Sequence, residues 1–80
     1  MKVTYDIETD IVRIRLNDHQ IDESNELMAG VIVDVDAKGR AIGFEILDAS
    51  KRIENPKSVE LDVVSGPALT QKKSGKKVAV

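Results

Sequence analysis

Residues Gly30 to Arg52 read GVIVDVDAKGRAIGFEILDASKR, and the periodicity of this stretch decides the fold. Val31, Val33 and Val35 alternate with Ile32, Asp34 and Asp36. Beyond a polar turn, Ile42, Phe44 and Ile46 alternate with Ala41, Gly43 and Glu45. Alternation of period two marks half-buried strands, because successive side chains point to opposite faces. The turn Asp36-Ala37-Lys38-Gly39 has Asp first and Gly fourth, which suits type I. A tighter Lys38-Gly39 loop is the alternative. Both loops hold an even number of residues, so both put the valine row and the Ile-Phe-Ile row on one face. On the other face Gly43 leaves a bare spot that a side chain or backbone can approach.

Upstream, Val3 and Tyr5 alternate with Lys2 and Thr4, and Val12, Ile14 and Leu16 alternate with Arg13 and Arg15. The polar run Asp6 to Asp10 between them predicts a hairpin, and Tyr5 opposite Val12 puts both apolar rows on one face. From His19 to Glu26 the pattern is weak and acidic. A short edge strand over Gln20–Ser24 or a loop fits it, after which Leu27 and Met28 return toward the core and Gly30 gives a bend or close approach. Downstream, Asp48 is placed to cap a short helix, which must end before Pro56 because Asn55 is pushed out of the helical region. Val59, Leu61 and Val63 alternate with Ser58, Glu60 and Asp62 and predict a last strand, although Asn55-Pro56 could also start a helix. The expected architecture is α+β: a mostly antiparallel, hairpin-rich sheet of four or five strands, with one short helix after the central hairpin. It forms a single domain over 1–66, followed by a basic, flexible tail over 67–80.

Eighty residues allow one domain with a thin core, and the only aromatics are Tyr5 and Phe44. Small cores are commonly reinforced by disulfides, metals or association. With no cysteine in the chain, disulfides and thiolate sites are excluded, which leaves self-association. The absence of cysteine, of a long apolar run and of an apolar leader in MKVTYDIETD leads us to expect a cytoplasmic protein without a membrane span. Residues 1–70 contain all 14 acidic and 8 of the 12 basic residues; Lys72, Lys73, Lys76 and Lys77 make the end basic. An acidic body argues against nucleic acid as a partner, since phosphate binding needs a basic face.

Certain runs carry a family resemblance. Tyr5-Asp6, Asp10 and Val12-Arg13-Ile14-Arg15-Leu16 resemble the start of the YuzE-like domain-of-unknown-function family (number 2283). Gly30 to Asp36, Gly39-Arg40 and Gly43-Phe44-Glu45-Ile46-Leu47-Asp48-Ala49-Ser50 resemble it more closely. The sequence departs from the pattern at Ile7, where proline is expected, and beyond residue 53. The resemblance implies a small prokaryotic protein with no established activity and no catalytic residues to carry over. Some members resemble the partner half of toxin–antitoxin-like pairs.

The search for chemistry gives little. Asp34, Asp36, Gly39 and Glu45 fall at positions 1, 3, 6 and 12 of a calcium loop, but Lys38 stands where a ligand oxygen is needed and the flanks are strands rather than helices. Asp34, Glu45 and Asp48 could form an acidic cluster able to hold a metal or move a proton, although Arg40, Lys51 or Arg52 could simply neutralise them. His19 is the only histidine, and neither Ser24 nor Ser50 has a recognisable base. No catalytic residue, metal site or cofactor is therefore expected. Ile32 and Leu47, on the non-core face with Asp34, Gly43 and Glu45 and followed by Asp48, form the face expected to meet a partner. The leading expectation is a non-enzymatic binding or assembly module, a homodimer. The alternatives are an antitoxin-like protein that neutralises a small toxin by direct contact, and a metal-assisted hydrolase.

Overall fold

The computed structural model describes residues 1–65. Five strands form one sheet: β1 (Lys2–Asp6), β2 (Ile11–Arg15), β3 (Glu23–Met28), β4 (Val31–Val35) and β5 (Ala41–Ile46). Their spatial order is β1-β2-β5-β4-β3, and every neighbouring pair is antiparallel. A single helical turn, α1 (Ala49–Arg52), follows β5. The fold is the expected α+β arrangement, with five strands. Gly66 and the basic segment 67–80 lie outside the described residues.

The register explains why the alternating sequences close into one sheet. Tyr5 does pair with Val12, Val12 with Ile46, and Ile46 with Val31. The next row runs Val3, Ile14, Phe44, Val33. These two rows make one apolar face. Val12, Val33 and Ile42 of this face are buried, together with Ala49 of α1. The opposite face carries Lys2-Arg15-Gly43-Asp34-Ser24 and Thr4-Arg13-Glu45-Ile32-Glu26.

The central hairpin reaches the expected facing by a different route. Gly39 N–H donates to the Asp36 carbonyl (2.9 Å), and Asp36 N–H donates to the Arg40 carbonyl (3.0 Å). The turn is thus type I followed by a left-handed Gly39 (φ 77°), and its loop holds an odd number of residues. Alone, that would put Val33 and Phe44 on opposite faces. A β-bulge restores the parity: Val35 pairs with Ala41 but Asp34 pairs with Gly43, leaving Ile42 as the extra residue. Ile42 is the largest fully buried side chain, so the bulge is pinned by packing.

Three expectations are corrected. Leu27 and Met28 do not return to the core; they stay 58 % and 63 % exposed. The strand at Gln20–Ser24 lies later, as β3, on the sheet edge, and its register slips at Leu27 just before the Ala29-Gly30 turn. No last strand forms over 58–64. Val59, Leu61 and Val63 are 67, 73 and 86 % exposed, and residues 58–65 belong to no strand. A turn at Asn55 intervenes, its carbonyl accepting from Ser58 N–H (3.2 Å) and its side-chain oxygen from Lys57 N–H (3.2 Å). Alternation shows which residues would suit a sheet, but a strand also needs an edge to pair with.

Gly30 meets its predicted close approach. A β-carbon there would lie 2.5 Å from an Arg52 guanidinium nitrogen, which donates to the Ala29 carbonyl (2.8 Å). Gly39, also left-handed, has open space around it. Both Gly30→Ala and Gly39→Ala should carry a backbone cost of about 1 kcal/mol. Gly30→Ala should cost more in urea unfolding, and the excess should vanish in an Arg52→Ala background. Equal costs in the native background would contradict the packing described here.

Candidate functional site

Polar side chains gather at three places. The first is a junction around Asp10. Asp10 opens β2 in the left-handed region (φ 57°), which Asp tolerates better than most residues. Its carboxylate accepts Tyr5 Oη–H at 2.8 Å, Ser50 Oγ–H at 2.7 Å and Ser50 N–H at 3.0 Å. Its backbone carbonyl accepts Ala49 N–H at 2.9 Å. Asp10 therefore caps α1 from 40 residues away in the chain. This corrects the capping role expected for Asp48, which occupies the N-cap position with φ 52° but makes no side-chain cap bond. The Ser50 hydroxyl, then the Tyr5 hydroxyl, hold the Asp10 carboxyl below the usual carboxylate range, while the bond to Asp10 pushes the Tyr5 phenol up.

The second place is the hairpin turn. Asp36, largely buried, accepts N–H groups from Lys38 (3.0 Å) and Arg40 (2.9 Å) and the Arg40 guanidinium (2.9 Å). The backbone bond from Arg40 is the main cause that holds its carboxyl low. His19 Nδ1 lies 3.9 Å from the same carboxylate. The spacing that resembled a calcium loop is thus an Asp-closed turn whose carboxylate is occupied by its own backbone.

The third is the polar face. Asp34 is only 2 % exposed and accepts Ser24 Oγ–H at 2.6 Å. Glu45 lies beside it; burial first, then the neighbouring Asp34 carboxylate, push its carboxyl up, against the pull of Arg13 at 3.9 Å. Gly43 supplies the bare spot: the Ile14 carbonyl, the Arg15 stem and an Asp34 oxygen lie 2.9, 3.2 and 3.4 Å from where a β-carbon would be. Arg15 then reaches on to the carbonyls of Asn17 (3.2 Å) and His19 (2.6 Å).

Of the six residues expected on a partner-binding face, Asp34 and Gly43 are buried, Ile32, Glu45 and Leu47 are half-buried, and Asp48 is exposed. Asp34 and Glu45 come together; Asp48 stands beyond the end of β5, on the turn into α1. Among the described residues no three His, Asp or Glu side chains gather as a metal site, and there is no cavity. Both serines serve as donors to carboxylates, and His19 touches neither. Sequence reasoning missed the Tyr5–Asp10–Ser50 junction because nothing periodic joins its members. The signal available was that all three sit in the runs that carry the family resemblance.

The comparisons agree with that placement. The model of DUF2283, described as proteins of unknown function, matches residues 2–50, and the chain belongs to that family. No curated protein matches the chain, and no solved structure does. The matched span covers the whole sheet and ends on Ser50, the residue that closes the Asp10 junction.

Two outcomes follow from these contacts. Asp10→Ala should lower the melting temperature by several degrees, whereas Asp48→Gly should leave it unchanged or raise it, since glycine relaxes the left-handed position without losing a bond. The reverse order in a thermal melt would refute the cross-chain cap. The pH response has two opposing parts. Asp10 and Asp36, held low, stabilise the fold above the ordinary carboxylate pKa, and this is lost as pH falls through their depressed values. Glu45, pushed up, contributes most at low pH and loses that contribution as pH rises through its raised value. Glu45→Gln should therefore flatten the decline in stability from mildly acidic to neutral pH. An unchanged profile in chemical denaturation at a series of pH values would count against the Asp34–Glu45 pair.

Proposed function

We propose that this member of the family acts as a non-enzymatic assembly module whose first partner is a second copy of itself. The observation that carries this reading is the incomplete cover of the apolar face. That face spans β1, β2, β5 and β4 and reaches Met28 of β3, yet the one helix among the described residues is a single turn that follows β5. Val3 and Met28, at its two margins, remain exposed. Leaving large apolar side chains in water forgoes about 25 cal/mol for every Å² that a partner could cover. A chain this small has little other means of strengthening its core.

The polar face supports the reading less. Its buried Asp34 is engaged by Ser24, its Glu45 by Asp34 and Arg13, and its bare spot at Gly43 by Arg15. The hydrolase alternative draws little support from the geometry, because Asp48 stands apart from the Asp34–Glu45 pair. Nothing on the surface singles out a toxin-like partner.

Association coupled to folding makes stability depend on concentration. The melting temperature should rise with protein concentration, and sedimentation velocity at micromolar concentration should give a dimer. A monomer throughout, with a constant melting temperature, would overturn the proposal.

A further inference from the structure

We infer that residues 58–64 form a sixth strand on the outer edge of β1 of a second copy, reciprocally exchanged between two chains. This rests on the assembly reading above and specifies the contact that performs it. The segment Ser58-Val59-Glu60-Leu61-Asp62-Val63-Val64 has strand periodicity but pairs with no strand among the described residues. Its apolar residues are among the most exposed of the described protein. It lies outside the span shared with the family and beyond the turn at Asn55.

Among the described residues the sheet has two edges without a further strand, β1 and β3, and they differ in kind. β3 is an acidic edge: Glu23 and Glu26 are exposed along it, and its register is broken at Leu27. Bulges and charge are the usual means of blocking an edge, and Glu60 and Asp62 would meet like charge there. β1 pairs with β2 without a break from Lys2–Arg15 to Asp6–Ile11. Its free backbone groups are therefore regularly spaced along the whole strand. On the apolar face of β1 stand Val3 and Tyr5; on the polar face stand Lys2, Thr4 and Asp6, with Arg15 and Arg13 of β2 beside the first two and the one acid at the far end, its carboxylate engaged by Glu8 N–H and Thr9 N–H. An added strand that sets Val59, Leu61 and Val63 beside Val3 and Tyr5 necessarily sets Glu60 and Asp62 on the side of Lys2, Arg13 and Arg15. Among the described residues Arg15 reaches carbonyls and no carboxylate, and Arg13 lies 3.9 Å from Glu45, so both can receive further negative charge. Apolar parity and charge thus select the same edge. The exchange is self-complementary, because each chain has one donor segment and one acceptor edge, which closes a two-fold dimer.

The test uses the full chain and sedimentation velocity. Leu61→Pro removes a ladder donor from an exposed segment and should convert the dimer to monomer with unchanged far-ultraviolet circular dichroism. The pair Glu60→Lys and Asp62→Lys should weaken the dimer at least tenfold, and adding Lys2→Glu and Thr4→Glu to that pair should restore it. A wild-type dimer that persists in Leu61→Pro, or a charge reversal that is not restored, overturns the strand exchange and leaves the assembly reading standing. A wild-type monomer overturns both. If that monomer also melts lower as Leu61→Pro, the segment pairs with its own chain instead.

Discussion

The acceptance of three hydrogens by the Asp10 carboxylate is the interaction on which the rest of this small structure depends. It joins the end of β1 through Tyr5, the start of β2 through its own backbone, and α1 through Ser50. Each of these elements is too short to stand alone. A five-residue hairpin pair is marginal in water, and a four-residue helix cannot repay its nucleation. One carboxylate links them because it can accept several hydrogens at once and is most strongly bound when ionised. The left-handed backbone at Asp10 aims the group at the helix start, and Ala49, wholly buried below it, fills the space between turn and sheet.

Much of the fold was legible because the sheet follows a rule of parity. Tyr5 opposite Val12 and the shared face of Val33 and Phe44 agree with the period-two alternation, although the second is reached through an odd turn and a compensating bulge. Where parity ceased to govern, the reading failed for identifiable reasons. The alternation of Val59, Leu61 and Val63 describes a surface without naming an edge to receive it. Leu27 and Met28 sit where the register of an edge strand slips, so their hydrophobicity does not translate into burial. Asp48 had the right residue type and position for a cap, but a residue 40 positions earlier makes the bonds.

The polar groups follow a similar division. The Asp34–Glu45 proximity was visible as a shared face of one hairpin. The burial of Asp34 was not, because periodicity within one hairpin says nothing of Ser24 and Arg15, which approach it from other strands. The apparent calcium loop shows how one spacing serves two physical ends. Asp36 two residues ahead of Lys38 and four ahead of Arg40 can present oxygen to a metal or close a turn on its own amides, and the strands on either side impose the second.

The bulge at Ile42 gives the central hairpin a kind of reading frame. Its odd turn and its single extra residue compensate each other, so neither can change length alone without inverting every side chain between it and the strand ends. Losing one residue from the 36–40 loop would carry Val31 and Val33 to the polar face unless the bulge vanished too. Over evolutionary time this couples two positions that share no chemistry. Insertions and deletions in the hairpin should be tolerated in matched pairs, and the turn and the bulge inherited as one character.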